Sequence, residues 1–106
     1  MYASGFTIPW AEGADPSKLT LPDLEREYGS APVALRPALI EYVWRREDIP
    51  KADRMAFLAR VVRQDTSLNA VEYAGRFLSE ALGAKLKPLA VRKLLEIWEQ
   101  QKDTIE

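Results

Sequence analysis

Leu68, Val71, Gly75, Leu78 and Leu82 follow one another at steps of three, four, three and four residues. Only an α-helix puts all five on one stripe, and an apolar stripe of that length must be covered by other helices or strands. Beyond Thr20 the rest of the chain repeats this pattern in runs bounded by proline, glycine or a short capping side chain. The expected fold is therefore all-α: one compact domain, a bundle or orthogonal array of four to five helices, with an extended N-terminal arm. A length of 106 residues leaves no room for a second core.

The punctuation predicts each helix. Thr20, Pro22 and Asp23 form an N-cap with an acidic first turn, and Gly29 is the expected stop of a two-turn first helix. A second helix should start near Pro37 and end before Ile49 and Pro50. Its apolar residues Leu35, Leu39, Ile40, Tyr42, Val43 and Trp44 cover more than half of its circumference, which makes it the expected central helix. Asp48 is placed to cap a third helix, with Pro50 in its first turn, that runs to Gln64 and buries Met55, Leu58, Ala59 and Val62. Ser67 caps the fourth, which Gly83 ends, and a fifth should begin at Pro88 and bury Val91, Leu94, Leu95 and Trp98. Gly75 lies on the apolar face of the fourth helix, where a missing side chain permits close approach of another segment.

Residues 1–20 read differently. Phe6, Ile8 and Trp10 alternate with Thr7 and Pro9 between Gly5 and Gly13, the spacing of an extended arm with its three large side chains on one side. Residues 21–102 form the helical domain, and residues 103–106 are a polar end expected to fray.

What the chain lacks narrows its chemistry. It contains no histidine and no cysteine. Those side chains supply most near-neutral proton transfer, most nucleophile and base pairs, and nearly all zinc sites. The carboxylates show no Ca²⁺-loop register; instead Glu41 with Arg45, Glu72 with Arg76 and Glu80, and Arg92 with Glu96 have the i, i+4 spacing of helix-surface ion pairs. No catalytic residue, metal or cofactor is expected, and the protein is read as a non-enzyme. No apolar run approaches the roughly 20 residues of a membrane span, and the absence of cysteine fits a reducing compartment, so a cytoplasmic protein without membrane contact is expected. Nine arginines against six lysines, with abundant alanine, point to a bacterial or phage genome.

Two kinds of partner remain. The net charge of -1 argues against a wholly basic nucleic-acid binder. The stretch from Arg36 to Lys93 is nevertheless basic between acidic ends, and Arg45, Arg46, Lys51, Arg54, Arg60, Arg63, Lys85 and Lys87 could contact phosphates if they shared one face. Asp53, Glu96 and Glu99 among them weaken that reading. The leading expectation is a small adaptor, chaperone or regulator that docks on another protein or on a second copy of itself. Phe6, Ile8 and Trp10 form one candidate surface, and Trp44 with Arg45 and Arg46 forms another. Tyr73, Phe57 and Phe77 at the margins of their stripes add to the same surface. The arginines discriminate: one continuous stripe favours nucleic acid, whereas dispersal into ion pairs favours a protein partner.

Overall fold

Residues 19–105 are described by a computed structural model, and they form five α-helices with no strand among them. These are α1 (Leu21–Ser30), α2 (Arg36–Arg45), α3 (Lys51–Gln64), α4 (Leu68–Leu82) and α5 (Val91–Gln101). A 3-10 turn, Val33–Leu35, leads into α2, and another, Lys102–Thr104, follows α5 before Ile105, which rests partly buried on the core. The all-α, compact architecture agrees with the sequence reading, with a radius of gyration of 13.4 Å. The arm residues Phe6, Ile8 and Trp10 lie outside the described residues.

Local chemistry sets the helix ends. Thr20 and Asp23 form a capping box: the Thr20 hydroxyl accepts the Asp23 amide, and the Asp23 carboxylate accepts the Thr20 amide at 3.0 Å. Gly29 does not stop α1, which continues to Ser30. The break comes from Pro32, since the residue before a proline is driven out of the helical region, and Ala31 has ψ 142°. Asp48 does not cap α3 either. Its carboxylate is held by Arg46 at 2.6 Å, and Pro50, at φ -52° and ψ 140°, occupies the cap position.

Ser67 caps α4 by accepting the Ala70 amide, and Gly83, at φ 66°, supplies the left-handed residue that ends it. Leu68 falls off the expected stripe: it is 73% exposed at the first turn, ahead of the point where α4 enters the core. The fifth helix starts three residues later than Pro88, because Pro88 and Leu89 lie in a turn closed by the Ala90 amide on the Lys87 carbonyl, 2.9 Å.

Helices α3 and α4 make the most extensive pairing among the described residues, and α2 and α5 each pack against both. The centre is thus this pair rather than α2, whose circumference is shared between the buried Leu39, Ile40 and Val43, the half-buried Tyr42 and Trp44, and a buried Glu41. Leu24, Ile40, Met55, Leu58, Leu78 and Leu94 are fully enclosed, one or more from every helix. Each such side chain stabilises the fold by about 1.5–3 kcal/mol relative to exposure. Leu21, Leu24 and Tyr28 carry α1 onto α2, where Ala38 and Leu39 form a small second cluster.

Gly75 does permit a close approach, but of a loop rather than a helix. A Cβ built there would meet the Pro88 carbonyl oxygen at 2.2 Å, whereas one at Gly29 would meet nothing within 4 Å. Gly75→Ala should therefore destabilise the protein by about 1–3 kcal/mol through displacement of the α4–α5 loop. Gly29→Ala, in a helix with open space around it, should stabilise it by about 0.5–1 kcal/mol. Urea midpoints at unchanged m-value measure both; equal shifts would contradict this packing.

Candidate functional site

The arginines of the central stretch do not form one stripe. Arg36 is bound to Asp65 at 2.9 Å, Arg45 to Glu41 at 2.9 Å, Arg46 to Asp48, Arg60 to Glu25 at 2.5 Å and Arg63 to Glu99 at 3.3 Å. Arg54 donates to the backbone carbonyls of Ile49 at 2.9 Å and Trp44 at 2.7 Å, which closes the α2–α3 connection. Arg46 does the same for the entry to α1, donating to the Leu19 carbonyl at 3.1 Å and to the Tyr42 hydroxyl at 3.3 Å. Trp44, Arg45 and Arg46 thus have different partners. Lys51, Lys85 and Lys87 are exposed, and none makes an ion pair among the described residues. Arg76 lies over the Tyr73 ring, 5.6 Å from its centroid, instead of completing a chain with Glu72 and Glu80.

An aromatic ledge runs across α2 and α4. The Trp44 and Phe77 rings stack with centroids 6.2 Å apart, and Tyr73 meets Phe77 edge-on at 5.3 Å. All three side chains are half-buried. Arg54 covers the Trp44 ring at 5.1 Å, and Trp44, Arg45, Glu47 and Arg54 enclose a depression of about 310 Å³. Beneath the ledge is Glu41, which the i, i+4 spacing placed on a polar edge. It is buried, and its two oxygens accept from the Tyr73 hydroxyl at 2.8 Å and from Arg45 Nε at 2.9 Å. Burial, and then donation to Glu41, push the Tyr73 hydroxyl pKa upward. Phe57, expected at a margin, is instead core: it is buried with Tyr28 edge-on against it at 5.5 Å.

A second polar centre joins the ends of four helices. Asp65, directly after α3, accepts from the Tyr28 hydroxyl, from Arg36 at 2.9 Å and from the Ser67 amide at 2.8 Å. Its side chain is only 3% exposed, and that of Arg36 is 21% exposed and lies over the Tyr28 ring. Burial opposes the charge on Asp65, but the donors from Tyr28, Ser67 and Arg36 outweigh it and hold the carboxyl below its ordinary 3.8. Burial first, and donation to Asp65 second, push Tyr28 well above the usual phenol range. A cleft of about 440 Å³ opens beside this network, lined by Glu25, Arg60, Gln64 and Thr66 as well as by Tyr28, Arg36 and Asp65. Sequence reasoning missed the centre. Its one local signal was Asp65 two residues before a helix-capping Ser67, the spacing of a side chain that accepts an amide two positions on.

No group of three or more Asp or Glu side chains comes together to hold a metal among the described residues, and no described helix is long and apolar enough to cross a membrane. No protein-family model, curated protein or solved structure matches the chain.

Because the pKa of Asp65 is lower in the folded than in the unfolded chain, its ionised form stabilises the fold above pH about 4, and that contribution disappears as acid protonates it. Asp23, held at about 2 by the Thr20 amide and hydroxyl and by Arg26, acts in the same direction. Asp65→Asn should cost about 2 kcal/mol at pH 7. The gap between wild type and variant should narrow as the pH falls from 5 toward 2. Urea titrations at each pH test this, and a gap independent of pH would show that Asp65 acts by shape alone.

Proposed function

We propose that this protein is a small non-enzymatic docking module, an adaptor, chaperone or regulator that acts by binding another protein. One observation carries the reading. Arg45, Arg46, Arg54, Arg60 and Arg63 are engaged by carboxylates or backbone carbonyls of the same molecule. Trp44, Tyr73 and Phe77, by contrast, form a contiguous half-buried ledge that keeps part of each side chain at the surface. Phosphate contact needs cations free to exchange their counterions for the nucleic-acid backbone, and a cation already paired with a carboxylate gains little by moving. Large aromatics backed by a rigid core, with an arginine at the rim, are what protein hot spots use.

The proposed surface is the ledge of Trp44, Tyr73 and Phe77 with Arg45 at its edge. On sequence grounds Phe6, Ile8 and Trp10 extend it. The chain's lack of cysteine fits a cytoplasmic setting. Lys51, Lys85 and Lys87 keep phosphate contact as the second reading, since they are exposed without an ion pair among the described residues.

Fluorescence anisotropy with labelled double-stranded DNA and single-stranded RNA decides between the two. At physiological salt the expected affinity is weaker than about 100 μM; micromolar binding that falls steeply with salt would overturn the docking reading. In affinity enrichment, a partner retained by the wild type should bind Trp44→Ala about 30-fold more weakly, with cooperative unfolding preserved.

A further inference from the structure

The outer flank of α5 carries a depression of about 720 Å³ whose wall is almost wholly apolar, formed by Val91, Leu95 and the stems of Arg92, Glu96, Glu99 and Gln100. Val91 and Leu95 are half-buried while Leu94 and Trp98 point into the core, so the apolar stripe of this helix is wider than the core covers. Arg92 and Glu96 flank the strip. Both are exposed, four residues apart, and they do not pair with each other or with any other described residue. The order Arg then Glu is the poorer orientation for an i, i+4 pair within one helix.

We infer that this flank binds a second copy of the chain, α5 lying antiparallel to α5 across a two-fold axis near Leu95. The charges make the surface self-complementary. With a rise of 1.5 Å per residue, that axis brings Arg92 of each copy to within about 3 Å, along the helix direction, of Glu96 of the other, while Glu99 stays with Arg63 and Lys102 of its own chain. Leu95 of one copy then packs on Leu95 of the other, with each Val91 about 6 Å along the helix direction from the partner's Leu95. This is an isologous contact, in which every ion pair occurs twice. One helix face buries less than the ~1,200 Å² of a standard interface, which places the dimer in the weak, concentration-dependent class.

The inference adds one occupant to the docking reading but uses a different face, so the two can fail separately. Sedimentation equilibrium of the full chain from ~5 to ~500 μM should show a monomer–dimer equilibrium with a midpoint of tens of micromolar. Arg92→Glu and Glu96→Arg, both at exposed positions, should each weaken it about tenfold or more, because like charges then oppose across the axis twice. An equimolar mixture of the two variants should associate as the wild type does, since both 92–96 pairs across the axis are again of opposite sign. Trp44→Ala should leave the equilibrium unchanged. A wild type that stays monomeric throughout, leaving the flank to residues 1–18 or to another protein, would overturn the inference. So would a mixture that fails to restore association, or a dimer abolished by Trp44→Ala.

Discussion

Asp65 is the point on which the arrangement of the helices depends. One carboxylate, directly after α3, takes hydrogen bonds from Tyr28 of α1, from Arg36 at the first position of α2 and from the amide of Ser67, which caps α4. Three donors converge on a side chain almost out of contact with water, and this convergence holds its carboxyl below the ordinary range although burial acts to raise it. Position and protonation are thus coupled. If Asp65 shifted, Arg36 would lose its carboxylate partner in a region already short of solvent, and the orientation of α1 on α2 would lose its polar anchor.

The same logic recurs on a smaller scale around the molecule. Arg54 and Arg46 tie loop carbonyls, Glu41 joins α2 to Tyr73 of α4, and the Ser79 hydroxyl holds the α4–α5 loop through both the amide and the carbonyl of Leu86, at 3.0 and 3.1 Å. Between these contacts the α3–α4 pair supplies the apolar mass. A chain without disulfides therefore fixes its loops by side-chain to backbone hydrogen bonds, each of modest net strength but costly to leave unmade. This division of labour ties most arginines to carboxylates or carbonyls of the same molecule. Two half-buried apolar surfaces remain: the Trp44, Tyr73 and Phe77 ledge on one side and the flank of α5 on another.

These two surfaces differ in character. In the ledge Phe77 is held between Trp44 and Tyr73, and Arg54 and Arg76 lie over the two outer rings. Such preorganised aromatics lose little side-chain entropy when a partner covers them. The flank of α5 is shallower and framed by Arg92 and Glu96, two charges of opposite sign with no ion-pair partner among the described residues, a pattern that selects orientation more than it supplies affinity.

The sequence by itself determined the class and most of the helix count, because capping residues, prolines and three-four spacing act over a few residues and need no knowledge of the rest. The Thr20–Asp23 box, the Ser67 cap and the left-handed Gly83 were all legible this way. Where two local signals competed, the reading failed in an explicable manner: Pro32 prevailed over Gly29 as the end of α1, and Arg46 drew Asp48 away from its cap position. Of the candidate site, Trp44 was legible as a wide-stripe aromatic, and Tyr73 and Phe77 as marginal ones. That Glu41 would be buried beneath them, that Phe57 would be core, and that Tyr28, Arg36 and Asp65 would meet was decided only by the tertiary structure. Those groups lie 29 to 37 residues apart in the case of Asp65, and 32 in the case of Glu41 and Tyr73. A charge pattern written along one helix states which partners are near in sequence; which carboxylate an arginine reaches is settled by how helices pack, since that packing sets the desolvation each ion must have compensated.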